Sequence, residues 1–297
     1  MPSPQHEAIV QTLLAQPRPG TAPSIEESRA VFEQMAAAMP PPAGLRVTRV
    51  DAGGVPAEWI EMPGAQAGRI LLYLHGGGYA IGSLDTHRGL VARIAAVTRA
   101  RCLSLGYRLA PEHPFPAAVD DAVAAYRWLL AQGQEPARLA VAGDSAGGGL
   151  TLALLLALRD LRVPLPAAGV CLSPWTDLEG TGASATDPRV GDPMVTTEGL
   201  RQMGRMYVGD GDLRNPLAAP LHGDYRGLPP LLIQVGTREV LLDDSTRVAA
   251  KAKHAGVDVT LERGDGLVHV WHFFGPDVPE SVAAIARIGE FVAKHAA

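Results

Sequence analysis

The sequence predicts an α/β protein built on a mostly parallel sheet with helices on both faces. From residue 69 onward, short apolar runs rich in β-prone residues alternate with segments of helical periodicity. Repeated βα units of this kind require a parallel sheet covered on both sides. In residues 139–158, a short apolar strand, a turn of small residues and a buried helix follow one another directly.

Prolines separate an N-terminal helical piece from the rest of the chain. Residues 17–23 and 40–42 contain the breakers. Between them, residues 25–38 carry apolar side chains at helical spacing after Ser24, a suitable N-cap. We expect this amphipathic helix to cover another part of the molecule.

The remaining elements follow in chain order. A β-hairpin is predicted over residues 46–62, around Gly53 and Gly54. The predicted strands are 69–74, 101–105, 138–142, 167–172, 231–236 and 257–263, and the predicted helices are 88–98, 117–130, 150–159, 245–255 and 281–294.

One long interval interrupts this alternation. Residues 173–229 are rich in Gly, Pro, Asp and Thr, with one predicted helix at 197–208. An interruption of this length is typical of a lid or binding insertion. We therefore divide the chain into N-terminal cap helices (1–44), a first part of the core (45–177), a cap insertion (178–228) and a second part of the core (229–297).

Composition excludes several classes of protein. The chain has 297 residues, of which 47% are hydrophobic and 19% charged, with a net charge of −5, so no nucleic-acid partner is expected. The longest apolar run falls far short of the ~18 residues that a membrane-spanning helix needs. The N-terminus lacks the pattern of a secretory signal, which predicts a cytoplasmic protein without membrane contacts.

Cys102 and Cys171 lie in apolar runs and are predicted to be buried free thiols.

The stretch Gly143-Asp144-Ser145-Ala146-Gly147 has the G-x-S-x-G pattern in the strand–turn–helix setting of a nucleophile elbow. So sharp a turn needs small neighbours, and it projects the Ser145 hydroxyl above the sheet. Serine is a poor nucleophile at neutral pH. It therefore needs an adjacent base, which a third group orients.

Candidates for the acid and the base follow Ser145 in the chain order typical of such elbows. Glu239 follows the strand 231–236, and His269 follows the strand 257–263. Both positions are carboxyl ends of strands, where open α/β sheets build their sites.

Each choice has rivals. Asp243 and Asp244 are alternative acids, but they precede the predicted helix 245–255 and are expected to be its N-caps. Asp243 could also brace the acid loop. His272 is an alternative base that spacing does not exclude, and His269 is favoured because it comes first after the Gly-rich loop.

The stretch His75-Gly76-Gly77-Gly78 directly follows the strand 69–74 and matches an oxyanion-hole motif. Glycines let the backbone approach a ligand and turn its N–H groups toward one point. The predicted donors to a negative oxygen are the N–H groups of Gly77, Gly78 and Ala146. His75 is expected to organise the loop.

Two other site types are disfavoured. Residues 143–149 lack the lysine of a phosphate-binding P-loop, and Asp144 would repel phosphate. His269 and His272 do not have the H-E-x-x-H spacing of a zinc site. Neither a phosphate-binding P-loop nor a metal site is therefore expected.

Three stretches carry a family resemblance: residues 75–79, residues 107–117 (Y-R-L-A-P-E-H-P-F-P-A) and residues 143–148. On these the chain resembles the hormone-sensitive-lipase-like esterases, the bacterial family IV of α/β-hydrolases. The resemblance extends from about Val47 to the C-terminus. It implies the α/β-hydrolase fold, carboxylester hydrolysis, a helical cap, no cofactor and the oxyanion donors named above.

The chain departs from that family's pattern in two places. The acid is usually Asp in a D-P-L-x-D context, whereas here Glu239 begins the stretch E-V-L-L-D. The acid loop must then sit further back, or Asp243 must substitute. The histidine turn lacks the usual proline. The segment through Trp271 is also similar to monoterpene ε-lactone hydrolases, so a lactone is an alternative substrate.

The predicted function is that of a serine carboxylesterase acting on short- to medium-chain esters. Candidate pocket residues are Tyr79, Trp175, Met203 and Tyr207, although plain packing explains each of them as well. Some proteins that resemble this family are silent binding proteins that have lost a triad member. The presence of both Ser145 and His269 speaks against that alternative. Family members often dimerise through the last strand, here 257–263, so a homodimer is a further expectation.

Overall fold

An eight-stranded sheet forms the centre of the molecule, in the order β1-β2-β4-β3-β5-β6-β7-β8. The computed structural model describes residues 1–15 and 23–296, so the predicted breaker at 17–23 lies almost entirely outside the described residues. The strands are β1 (Arg46–Asp51), β2 (Pro56–Glu61), β3 (Gln66–Leu74), β4 (Ala100–Leu105), β5 (Leu139–Asp144), β6 (Ala168–Leu172), β7 (Leu231–Gly236) and β8 (Val259–Gly264). The hairpin β1–β2 is antiparallel and β2 runs antiparallel to β4, while β3 to β8 pair in parallel. The predicted α/β class and the predicted hairpin are confirmed.

Helices cover both faces of this sheet. They are α1 (Pro4–Ala15), α2 (Ile25–Ala37), α3 (Leu84–Thr98), α4 (Ala117–Ala131), α5 (Ala146–Asp160), α6 (Ala183–Thr186), α7 (Thr197–Val208), α8 (Leu242–His254) and α9 (Pro279–His295). Alternate residues of β3 point to opposite sides. Leu71 and Tyr73 pack with α3 and α9, and Leu72 and Leu74 pack with α4 and α5. A strand buried on both faces reads as a continuous apolar run, which explains why the sequence shows it clearly.

Several predicted boundaries are wrong by two to four residues, among them the starts of β3, α3, α5, α8 and β8. Helix α3 begins at Leu84 because Ser83 forms a capping box with Thr86. Helix α8 begins at Leu242, so Asp243 and Asp244 lie in its first turn and are not N-caps. Strand β8 begins at Val259, after a turn that follows α8.

The N-terminal helix α2 forms as predicted, with Ser24 in a capping box. Its apolar side chains do not all cover the core, because Val31 and Met35 are 54% and 46% exposed. The helix is held instead by Arg29, whose guanidinium donates to the carbonyls of Ala80 (2.9 Å) and Ala110 (3.1 Å) and pairs with Glu112. Polar contacts therefore fix α2 against the loops that follow β3 and β4.

The interval between β6 and β7 contains α6, α7 and two short 3₁₀ turns, and α7 has the predicted bounds. Cys102 and Cys171 are buried free thiols, as predicted. Within the described residues, every helix is too short or too polar to cross a membrane.

Candidate active site

Ser145 occupies the turn between β5 and α5, with φ 53° and ψ −119°. It is half-exposed, whereas the residues on either side of it are buried. The turn is tight enough that neighbouring side chains would collide. A methyl group on Gly147 would lie 2.5 Å from the His75 carbonyl oxygen, and one on Gly143 would lie 2.6 Å from that of Leu74. The motif glycines are therefore required for steric reasons.

Backbone strain is concentrated around this turn. Four residues other than glycine with positive φ lie in loops that meet here: Tyr79, Ser145, Ser173 and Val270. Such conformations cost about 1–3 kcal/mol each and persist where the surroundings enforce them, most often at functional sites. These strained residues lie at the carboxyl edge of the parallel strands, where open α/β sheets build their sites.

Glu239 and His269 are brought together beside the elbow. The Glu239 Oε2 atom lies 3.6 Å from His269 Nδ1, close enough for an ion pair and longer than a hydrogen bond. Ser173 joins the two loops, because its hydroxyl donates to Glu239 Oε2 (2.8 Å) and accepts from the Val270 N–H (3.2 Å). Ser173 thus links the loop that carries Glu239 (the acid loop) to the loop that carries His269 (the histidine loop).

The two charges influence each other strongly because both groups are buried. Burial raises the pKa of Glu239, and the neighbouring His269 and Ser173 only partly offset that effect. Burial tends to lower the pKa of His269, but the Glu239 carboxylate, with Asp192 and Asp144, raises it above its ordinary value. The imidazole is accordingly a stronger base than an isolated histidine.

The rival residues are engaged elsewhere. His272 Nε2 lies 2.9 Å from the Gln234 side-chain oxygen, and burial lowers the pKa of His272 to about 3. Asp243 accepts from the Ser184 N–H at 2.9 Å. Asp244 accepts from the N–H groups of Thr176 and Asp177, and burial raises its pKa to about 7.

The glycine loop lies against the elbow. Gly77 has φ 113° and Gly78 has φ 61°, conformations that favour glycine. Among the described residues, no acceptor is found for the N–H groups of these two glycines. Ala146 opens α5, where the first N–H groups have no partner inside the helix.

A buried carboxylate ties this loop to the elbow. Asp144 accepts from the Tyr73 hydroxyl (2.7 Å) and from the Gly76 N–H (3.1 Å), and it lies 3.3 Å from His87 Nε2. Burial alone would raise its pKa, but His87 and Tyr73 hold the pKa of Asp144 below its ordinary value. The residue directly before Ser145 therefore positions the glycine loop.

His75 is part of the scaffold of this loop. Its ring stacks on Tyr107 with centroids 4.2 Å apart, and burial lowers the pKa of His75 to about 3. The Tyr107 hydroxyl donates to the His75 carbonyl at 2.7 Å. His75 is thus neutral at ordinary pH.

The four candidate pocket residues form one aromatic group with a methionine at its edge. Tyr79 stacks on Tyr207 with centroids 3.7 Å apart, and Trp175 lies 5.9 Å from Tyr79; all three side chains are buried. Met203 is half-buried, and its sulfur fills the space in which a side chain on Gly78 would lie. Met203 is therefore the pocket candidate that contacts the glycine loop directly.

Among the described residues, one group of three side chains has the geometry to hold a cation. The ligand atoms of Asp177, Glu179 and His222 lie within 4.8 Å of one another. Arginines already pair with both carboxylates, Arg247 with Asp177 at 2.9 Å and Arg214 with Glu179 at 2.6 Å. The two carboxylates of this group are therefore already engaged in ion pairs.

Sequence reasoning missed Ser173 and Asp192 and underrated Asp144. Ser173 directly follows β6, and a polar residue at a strand's carboxyl end was an available signal. Asp192 lies in the interval between β6 and β7, 47 residues before Glu239, and no local pattern connects the two.

Comparison with known proteins agrees with this geometry. Residues 71–273 match the model of a family described as alpha/beta hydrolase fold. The chain belongs to the α/β-hydrolase family. It is 51% identical over 243 residues to an acetyl-hydrolase of Streptomyces hygroscopicus, covering 82% of this chain and 81% of that one. An esterase of Acinetobacter venetianus is 36% identical, covering 89% and 87%.

Solved structures narrow the family further. The crystal structure of an esterase from the bacterial hormone-sensitive lipase family superposes with a TM-score of 0.95 over the whole of both chains, at 49% identity. The predicted resemblance is confirmed. This α/β-hydrolase is a carboxylic ester hydrolase of the hormone-sensitive-lipase-like family.

Proposed function

We propose that the chain hydrolyses short-chain carboxylic esters with Ser145 as nucleophile, His269 as base and Glu239 as the acid that orients it. The observation that supports this most is the buried Glu239–His269 contact of 3.6 Å beside the strained elbow. A base whose pKa is raised by a buried carboxylate is suited to take a proton from a hydroxyl.

The reaction proceeds in two acyl transfers. His269 takes the Ser145 proton as the serine oxygen attacks the ester carbonyl, and the carbonyl oxygen becomes negative. The N–H groups of Gly77, Gly78 and Ala146 donate to it. When the tetrahedral intermediate collapses, the C–O bond breaks and His269 protonates the leaving alcohol. A water molecule, deprotonated by His269, then attacks the acyl-serine, and the acid product and free Ser145 result.

The acyl group is proposed to be short. The Met203 side chain fills the space beside Gly78, and the stacked rings of Tyr79 and Tyr207 are buried. Little space is therefore left for a long acyl chain. The relative that is 51% identical is called an acetyl-hydrolase, which supports the same preference. Residues 178–228 act in this proposal as the cap that limits acyl length.

We also propose a homodimer formed through β8. This strand is at the edge of the sheet, and no strand of the described residues pairs with its outer side, so a second copy could add to it there. Light scattering on the purified chain tests this expectation, and a mass near 31.2 kDa would contradict it.

Hydrolysis of p-nitrophenyl acetate, butyrate and octanoate, together with lactones of several ring sizes, tests the activity. We expect acetate and butyrate to be turned over fastest and Ser145→Ala to lose at least about 10⁴-fold in kcat. Equal turnover by the variant would remove Ser145 from the mechanism. Faster turnover of lactones than of linear esters would change the assigned substrate class.

A further inference from the structure

The loop that carries Glu239 is fastened to the cap. The Val240 N–H donates to Asp192 Oδ2 at 3.0 Å, and the Val240 carbonyl accepts from the Ser184 hydroxyl at 2.8 Å. On the other side of Glu239, Arg238 Nε donates to the Gly191 carbonyl at 3.3 Å. Both neighbours of Glu239 are thus bonded to residues 184–192.

Asp192 is itself held rigidly. Its side chain is buried, and Oδ1 accepts from the N–H groups of Met194 (2.8 Å) and Val195 (3.0 Å). With Oδ2 on Val240, both oxygens are engaged. No arginine or lysine nitrogen within the described part of the chain lies within 4.0 Å of them, so no cation neutralises this carboxylate directly.

We propose that Asp192 is a positioning residue for ester hydrolysis: it anchors the acid loop to the cap and places a second negative charge near the Glu239–His269 pair. This inference rests on the roles proposed above for Glu239 and His269. It makes residues 184–192 of the cap a support for the reaction as well as a cover for the substrate.

Charges act on His269 from each element around it. Glu239 on the acid loop, Asp192 on the cap and Asp144 at the elbow all raise its pKa. His272, on the neighbouring 3₁₀ turn Trp271–Phe274, has a pKa lowered to about 3 and is uncharged near neutral pH. Loss of the Asp192 charge therefore lowers the pKa of His269. Since kcat/KM rises as His269 loses its proton, the acid limb of the pH profile then moves to lower pH.

Three variants separate the charge from the anchoring bond. Asp192→Asn removes the charge and retains one acceptor oxygen. Ser184→Ala removes an anchoring bond and leaves the charge. Asp210→Asn removes an exposed carboxylate elsewhere on the cap and is the matched control. The readouts are kcat and the pH profile of kcat/KM on p-nitrophenyl butyrate.

We expect Asp192→Asn to lose about 10-fold in kcat and to shift its acid limb to lower pH. Ser184→Ala should have a lower kcat, while the acid limb of its kcat/KM profile stays at the wild-type pH. Asp210→Asn should match the wild type in kcat and in the position of the acid limb. Should Asp192→Asn fail to fold, Asp192→Ser supplies a neutral side chain that still accepts from the Met194 N–H. A folded neutral variant at position 192 with a wild-type acid limb would overturn the proposal.

The same assays distinguish this inference from the function on which it rests. If Ser145→Ala and His269→Ala remain active, the proposed function fails, whatever Asp192 does. If Ser145→Ala and His269→Ala are inactive, but a neutral variant at position 192 keeps the wild-type acid limb of the kcat/KM profile, only the role of Asp192 is refuted.

Discussion

The elbow at Ser145 and the acid loop at Glu239 are held in position by different means. The elbow is fixed by backbone: Ser145 donates its N–H to the Leu172 carbonyl at 2.8 Å and accepts from the Trp175 N–H at 2.9 Å, and Gly147 packs against β3 without space for a side chain. The start of the acid loop has two backbone bonds, from the Thr237 and Arg238 N–H groups to the Gly264 and Leu267 carbonyls, both at 2.9 Å. Its Glu239–Val240 part is fixed by side chains, those of Ser173, Ser184 and Asp192.

This difference predicts different responses to substitution. The elbow leaves no space for larger side chains, so a substitution there should lower the stability of the whole fold. A loop held by several polar side chains loses one bond at a time. Changes there should reduce the rate in steps and alter its pH dependence while the fold persists.

The largest effect is expected at the elbow, from Gly147→Ala. The added methyl group collides with the backbone of β3 and of His75, which cannot move aside without opening the sheet. We expect a loss of stability of more than about 4 kcal/mol, measured by urea unfolding. Gly89→Ala is the control, because its methyl group meets only the Met39 carbonyl at 3.8 Å and lies within α3. That variant should gain about 0.5–1 kcal/mol, and equal behaviour of the two would contradict the steric account.

The next effect is expected in the acid loop, from Glu239→Gln. The amide keeps the shape but cannot stabilise the imidazolium, so we expect kcat to fall about 10²- to 10³-fold with the fold intact. Asp243→Asn should lose less than about 10-fold, since the Asp243 carboxylate binds the Ser184 N–H. If Asp243→Asn lost more kcat than Glu239→Gln, Asp243 would be the acid that orients His269.

The smallest effect is expected from Ser173→Ala, which removes the hydroxyl shared by Glu239 and Val270. One lost bond should reduce kcat about 10-fold. Serine and alanine both carry a Cβ, so Ser173→Ala keeps the strain of the φ of 45°, whereas Ser173→Gly removes the hydroxyl and relieves that strain. Both variants should lose similar activity. If the glycine variant is fully active, the hydroxyl has no positioning role.

The same contrast explains what could be predicted from sequence. The elbow is formed by residues adjacent in the chain, and its glycines are the ones that a tight turn requires. The pattern of residues 143–147 therefore predicts the turn together with its strand and helix. Parallel strands buried on both faces were equally visible. The start of α8 was misplaced because Leu241, its N-cap, makes no side-chain capping bond, so no capping pattern marks it.

The supports of the acid loop were not predictable in this way. Asp192 reaches Val240 only because the long interval between β6 and β7 returns to the loop that follows β7. In the sequence, an aspartate before a proline in a polar stretch looks like an ordinary turn residue. Contacts that depend on the path of an irregular segment leave no periodic signal along the chain.

Asp144 has a consequence for how enzymes of this shape can diversify. The Asp144 carboxylate, adjacent to the proposed nucleophile Ser145, also accepts from the Gly76 N–H, so it ties the proposed attacking oxygen to the glycine loop that carries the proposed oxyanion donors. If residues 178–228 form the proposed cap, substitutions there, such as at Met203, change substrate preference while Ser145 keeps its position relative to the glycine loop.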